Sequence, residues 1–254
     1  ANQGLGKMVE AIEAFKNALS IKSDYADVYN NMGVVLQAQS ELDSAIKAYE
    51  KCISLKPNNV EAHQNLCFAL LNNGMIKEGL EEYEWRWKTV KGKLSQRHFS
   101  VPLWDGKKSL IGKRILVWSE QGIGDTIMWS SLLPVLRSLA QHCILECQEK
   151  LVPLLKRSFP DIEFKPEDRS FDSKRDDFDV HLPMGSLYRL FNDKIDTNAK
   201  AASHLVSNVE RVKFWKERLK DIGKGPYIGI AWKSSNTSPD KLPNNTKITE
   251  WFPV

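Results

Sequence analysis

The first third of the chain repeats itself. Sliding Ala26–Asn59 forward by 34 positions lays it on the segment that begins at Val60. Tyr29 then meets His63, Met32 meets Leu66, Leu36 meets Leu70, Leu42 meets Ile76, Tyr49 meets Tyr83, and Asn31 meets Asn65. The same slide backwards puts Ala45 on Ala11, Ala48 on Ala14, Tyr49 on Phe15, Ile53 on Leu19 and Leu55 on Ile21. A period of this length, with apolar residues at helical spacing, means stacked helical hairpins, each of which buries its apolar face only against its neighbours. Small residues such as Gly33 and Ala45 let two helices approach closely. Large residues fill the space between them, and Pro57 stops the second helix.

The middle unit reads Tyr29-x2-Met32-Gly33-x2-Leu36, then Ala45-x3-Tyr49, then Pro57. It resembles the tetratricopeptide repeat, an all-α solenoid unit. In the third unit Cys67 stands in place of the small glycine and Gly79 in place of alanine, which marks a terminal unit. The first unit lacks its first helix, and a solenoid that starts there would expose an unpaired apolar face. The chain is therefore expected to be a fragment that begins mid-repeat. The resemblance places Asn31 and Asn65 on the inner, concave side of the array. A carboxamide there can both donate to and accept from a peptide group. These two residues are the candidate peptide-binding pair, and a protein or peptide is the expected partner.

Past the repeats the pattern changes. A polar, basic stretch, KTVKGKLSQRH, reads as a linker. Strand and helix signals then alternate: RILVW (114–118) as a buried strand, 125–140 as a helix, CILEC (143–147) as a strand, and 149–158 as a helix. Short strands are expected at 162–164 and 178–182, a short helix at 184–191, an amphipathic helix at 209–219, and a buried strand at YIGIAW (227–232). Alternation of this kind implies an α/β domain with a parallel sheet and helices on both of its faces, Rossmann-like in organisation. The expected division is 1–92 for the repeats, 93–222 for the Rossmann-like domain and 223–254 for the start of a further domain. Ligands of such sheets bind outside the carboxyl ends of the strands. SEQGIGD (119–125) sits at that end of the first strand.

Gly122 and Gly124 permit a tight turn and close approach of a ligand, and the amides of the following helix can hold an anion. Asp125 is either a cap for that helix or a group with a chemical task. The runs EWRW (84–87), LWDG (103–106), EQGIGDT (120–126), LECQEKLVPLL (145–155), FDVHLPMGSL (178–187) and YIGIAWKSSN (227–236) together resemble a bacterial family. Its members fuse tetratricopeptide repeats to a glycosyltransferase domain similar to the ADP-heptose:lipopolysaccharide heptosyltransferases. The resemblance implies a GT-B architecture, in which an acceptor domain faces a nucleotide-sugar domain, and inverting transfer of the sugar. It makes Asp125 the base that takes a proton from the acceptor hydroxyl. Glu120, Gln121, Gly122, Gly124 and Thr126 become the acceptor or anion-binding loop. Lys233, Ser234, Ser235 and Lys247 become donor-phosphate contacts that offset the charge on the leaving diphosphate. Pro134 lies two residues further from Asp125 than the family pattern has it. The donor domain would be cut short at Val254, so the fragment alone is expected to be inactive. The competing expectation is a non-enzymatic, peptide-binding scaffold with a degenerate Rossmann-like domain.

Composition narrows the rest. The net charge is +4 over 254 residues and no Lys/Arg run forms a nucleic-acid patch. No apolar run approaches the roughly 20 residues of a membrane span. The cysteines (Cys52, Cys67, Cys143, Cys147) form no CxxC pair, so no metal is expected, and buried thiols in a reducing, cytoplasmic setting are the plain reading. No cofactor is implied beyond the nucleotide-sugar as co-substrate. Trp85, Trp87 and Trp104 are expected to lock the repeats onto the next domain.

Overall fold

The computed structural model describes residues 2–170, 174–194 and 204–227. They fall into two compact units, Ala1–Val206 and Ser207–Val254. The first unit opens with five helices: α1 (Asn2–Ile21), α2 (Ala26–Ala38), α3 (Leu42–Leu55), α4 (Val60–Asn72) and α5 (Ile76–Tyr83). Sequence periodicity becomes geometric periodicity in the turns. Ser40 and Gly74, one period apart, both take positive φ, 65° and 78°. One residue on, Glu41 and Met75 each donate to a carbonyl at the end of the preceding helix, Leu36 and Leu70, both at 2.9 Å. This is the left-handed cap that satisfies the last carbonyls of a helix. Between the helices Ala45, Ile46 and Tyr49 pack against Leu66, Ala69 and Leu70. Gly33 lies against the Tyr49 ring, and a Cβ there would stand 2.5 Å from it.

The stretch expected as a polar linker has structure of its own. A 3-10 turn (Glu84–Lys88) leads into α6 (Val90–Ser95), capped by the Thr89 hydroxyl. The α/β layer follows: β1 (Arg114–Trp118), α7 (Ile123–Trp129), α8 (Leu133–Leu139), β2 (His142–Cys147), α9 (Val152–Ser158), β3 (Glu163–Pro166), β4 (Val180–Pro183) and α10 (Leu187–Leu190). The strands form one parallel sheet in the order β3-β2-β1-β4, with Ile115 opposite Cys143 and Val180. The central strands β1 and β2 are buried on both faces and read as near-continuous apolar runs, whereas the edge strand β3, with sequence EFKP, is only half-buried. Ile115, Val117, Cys143 and Leu145 join Leu133, Leu136, Leu151 and Leu155 from the helices. Leu116, Trp118 and Ile144 face the other way, where Trp87, Phe99 and Val101 cover them. Chain entering the sheet thus does the work that a second layer of helices does elsewhere.

The single helix expected over 125–140 is two. Pro134 cannot donate to the ladder and its ring crowds the carbonyl four residues back. The chain responds with a 3-10 turn at Ser130–Leu132, and the Ser130 and Ser131 hydroxyls donate to Ile127 and Met128 carbonyls at 2.7 and 2.8 Å. The second unit contributes α11 (Val209–Lys220), capped by the Asn208 side chain. Of the strand expected at 227–232 only Tyr227 belongs to the described residues.

Two substitutions in the repeats should move stability in opposite directions. Gly33→Val forces a side chain into the Tyr49 ring and should cost about 1–3 kcal/mol. Ser40→Gly relieves a non-glycine residue from the left-handed region and should stabilise by up to about 1 kcal/mol. Urea unfolding midpoints of the two variants check both signs.

Candidate functional site at the carboxyl end of the sheet

Loop 119–122 leaves β1 and turns into α7. Gly122 is the residue before the helix, and its N–H donates to Asp125 Oδ2 at 3.0 Å. Asp125 is half-buried and sits at the lip of the strand ends. Thr126 is fully buried; its hydroxyl lies 2.7 Å from Ser119 Oγ and 3.0 Å from the Gly122 carbonyl. Gln148, just after β2, donates to the Gln121 carbonyl at 2.9 Å. The loop is therefore held from both strands. Gln121, Gly122 and Gly124 present their surface outward, while Thr126 serves the loop's shape from within.

Glu120 points elsewhere. Its side chain is 1% exposed and takes Arg86 Nη2 at 3.1 Å and the Gly185 amide at 3.1 Å. Gly185 allows this approach, since a Cβ on it would lie 2.5 Å from the carboxylate. Arg86 comes from the 3-10 turn that ends the repeats. Its Nη1 donates to Glu84 at 2.7 Å and to the Tyr83 carbonyl at 3.2 Å, and its Nη2 also reaches Ser186 at 2.9 Å. Its guanidinium lies over the Tyr83 and Trp87 rings, 4.4 and 4.5 Å from their centres. Burial outweighs the attraction of Arg86 and pushes the Glu120 carboxyl up to about 7. A second buried pair, Arg97 with Glu146 at 2.6 Å, pins the following segment to β2, and Arg175 closes on the same carboxylate. Neither arginine pair was expected from sequence. The one signal for the first was a charged residue between two tryptophans in EWRW.

The remaining candidates are placed as follows. Asn31 is exposed on α2, while Asn65 on α4 is half-buried and donates to Asn30 Oδ1 at 3.1 Å. Lys233, Ser234, Ser235 and Lys247 lie outside the described residues. Of the three tryptophans, Trp87 packs on Trp118 of β1, with ring centres 5.6 Å apart. Trp85 instead stacks on His63 inside the repeats, and Trp104 packs with Phe191 within the α/β core. His181 is buried and its Nδ1 accepts from the Trp118 indole at 3.2 Å. The Asp176–Asp179 stretch is a set of ion pairs: Asp177 with Arg175 and Lys165, Asp179 with Arg114. The four cysteines are buried thiols, and burial pushes Cys67 and Cys147 up to about 12, far from nucleophilic use. Among the described residues no group of His, Cys, Asp and Glu is placed to hold a metal, and no helix is long and apolar enough to cross a membrane.

The joint between repeats and sheet should be sensitive to both partners. Arg86→Ala leaves Glu84 and Glu120 uncompensated and should cost about 3–5 kcal/mol in urea unfolding. Glu120 holds its proton more tightly folded than unfolded, so its contribution to stability declines as pH rises from about 4.5 to about 7. The stability difference between the native chain and Glu120→Gln should change by about 1–3 kcal/mol across that window, in the direction that favours the native chain at low pH.

The family models that match bear on the amino-terminal region. Residues 26–59 match the family model described as tetratricopeptide repeat, and residues 5–40 match that described as TPR repeat. The chain is similar to Protein FlbA of Caulobacter vibrioides, 28% identical over 199 residues that make up 73% of this chain and 33% of FlbA. It thus spans about a third of that relative's length. Among solved structures, a crystal structure of MamA is 30% identical, covers 37% of this chain and 56% of its own, and superposes with a TM-score of 0.33. A second MamA crystal structure, also 30% identical, covers 38% and 53% with a TM-score of 0.32. The chain therefore carries tetratricopeptide repeats, modules built for protein interaction, and joins them to a small four-stranded parallel sheet.

Proposed function

We propose that the chain couples a polypeptide-recruiting repeat array to a domain that transfers a sugar from a nucleotide-sugar to a hydroxyl of an acceptor, with inversion. One observation supports this most: the last repeat reaches, through Arg86, the same strand end whose loop carries Asp125. A partner held by the repeats is thereby kept in fixed relation to that loop. Asp125 takes the proton of the acceptor hydroxyl as its oxygen attacks the anomeric carbon. Gln121, Gly122 and Gly124 frame the acceptor, with Glu120 and Thr126 holding their positions. The departing nucleoside diphosphate draws on Lys233, Ser234, Ser235 and Lys247 for its charge. The amide of Gly122 fixes the orientation of the Asp125 carboxylate at the start of α7.

A second reading has its own observation. Both carboxylates of the loop already have structural partners, Asp125 in Gly122 N–H and Glu120 in Arg86. On that reading the α/β layer is a support and the function lies in the repeats alone.

Asp125→Asn separates the two. Asparagine can still accept from Gly122, so unfolding should change by less than about 1 kcal/mol. Transfer of labelled sugar from a panel of nucleotide-sugars, measured in the full-length gene product, should fall about 10²–10⁴-fold. Undiminished transfer removes Asp125 from the mechanism. Absence of transfer from the whole panel by the native protein leaves the support reading.

A further inference from the structure

The first helices of the two complete repeats present equivalent positions to solvent. On α2 the exposed positions are Asp27, Asn31, Val34 and Ala38. On α4 they are Glu61, Phe68 and Asn72, with Asn65 half-buried between them. Each set runs i, i+4, i+7, i+11, a single stripe along one helix face. One period carries each residue onto its counterpart: acid on acid, asparagine on asparagine, Val34 on Phe68. The Asn65–Asn30 hydrogen bond sets the stripes side by side. Val34 is 46% and Phe68 55% exposed, apolar side chains left to water at equivalent places. The charge is one-sided as well. Neither α2 nor α4 contains Lys or Arg, in a chain whose net charge is +4. Asp27 is engaged by Lys56, just past the end of α3, at 3.3 Å in a pair more than half exposed on both sides, and His63 of α4 is turned inward to Glu82.

We infer that this double stripe selects an extended polypeptide segment carrying apolar side chains interspersed with lysine or arginine. The inference rests on the reading that the repeats hold a polypeptide, and adds the chemistry of that polypeptide. Val34 and Phe68 receive its apolar side chains, and Asp27 and Glu61 attract its cations. The Asn31 carboxamide can pair with its backbone irrespective of sequence. Exposed charges of this kind act through solvent, so affinity falls as salt rises.

The test is selection of a random-peptide display library on the whole chain, followed by fluorescence anisotropy with an enriched synthetic peptide. The expected enrichment is in peptides that combine apolar residues with Lys or Arg. Val34→Ser/Phe68→Ser should weaken binding about tenfold or more. Asp27→Asn/Glu61→Gln should weaken it and flatten its salt dependence. All four positions are exposed, and circular dichroism should show unchanged helix content. Enriched peptides that are acidic or purely polar, yet lose affinity with Asn31→Ala, overturn the proposed chemistry and leave peptide binding in place. Enriched peptides insensitive to every stripe substitution overturn the proposed surface. A library that yields no enrichment overturns both this inference and the reading beneath it.

Discussion

The Arg86 guanidinium is the central hydrogen-bonded link between the repeats and the sheet, reinforced by Tyr83 against Trp129 and Arg189 beside Glu81. The two parts of the first unit share no geometry: one is a stack of helices with a fixed period, the other a parallel sheet. Arg86 bridges them because its planar fork can serve four acceptors while two aromatic rings cover its faces. A buried charge is tolerated when its donors are largely paired in this way, and here both Nη groups are paired while the buried Nε has no hydrogen-bond partner among the described residues. Lysine has the charge but not the fork. The loop after β1 inherits its position from this contact, since Glu120 is anchored and Asp125 follows it by five residues.

The second dependence is on the face of the sheet opposite the helices. A parallel sheet needs cover on both sides. Here the segment between the repeats and β1 lies across that face, with Phe99 against Phe178 and His181 and Trp87 against Trp118. Glu146 lies on the same face of β2 as Ile144 and would be an uncompensated buried charge without Arg97 and Arg175. The segment thus contributes apolar area and the counter-ion together. Repeats, covering segment and sheet lie in one compact unit, so the partner proposed for α2 and α4 would be held at a set place relative to the strand ends.

Much was legible in the residues. The repeat period placed α2 to α5, because a solenoid unit must meet the same packing problem each time; the matching left-handed turns at Ser40 and Gly74 came from the structure. RILVW and CILEC declared themselves as strands by apolar runs too short for helices. The helix expected as continuous over 125–140 runs through Pro134, and the break there, a 3-10 turn with serine hydroxyls reaching back, came from the structure. Asp125 was visible as either cap or base. The structure gives it the Gly122 amide, and its chemical task stays a proposal.

What the residues alone determined was local and periodic: which segments are helical, which are strands, where each unit turns. Those properties depend on neighbours a few positions away or one period away. What only the tertiary structure decided was the fate of the charges. Arg86 finds Ser186 a hundred positions later, Arg97 finds Glu146, and Asn65 is claimed by Asn30 while Asn31 stays open. A charged side chain in sequence reads as solvated, because the partner that makes its burial affordable lies too far along the chain to be recognised there.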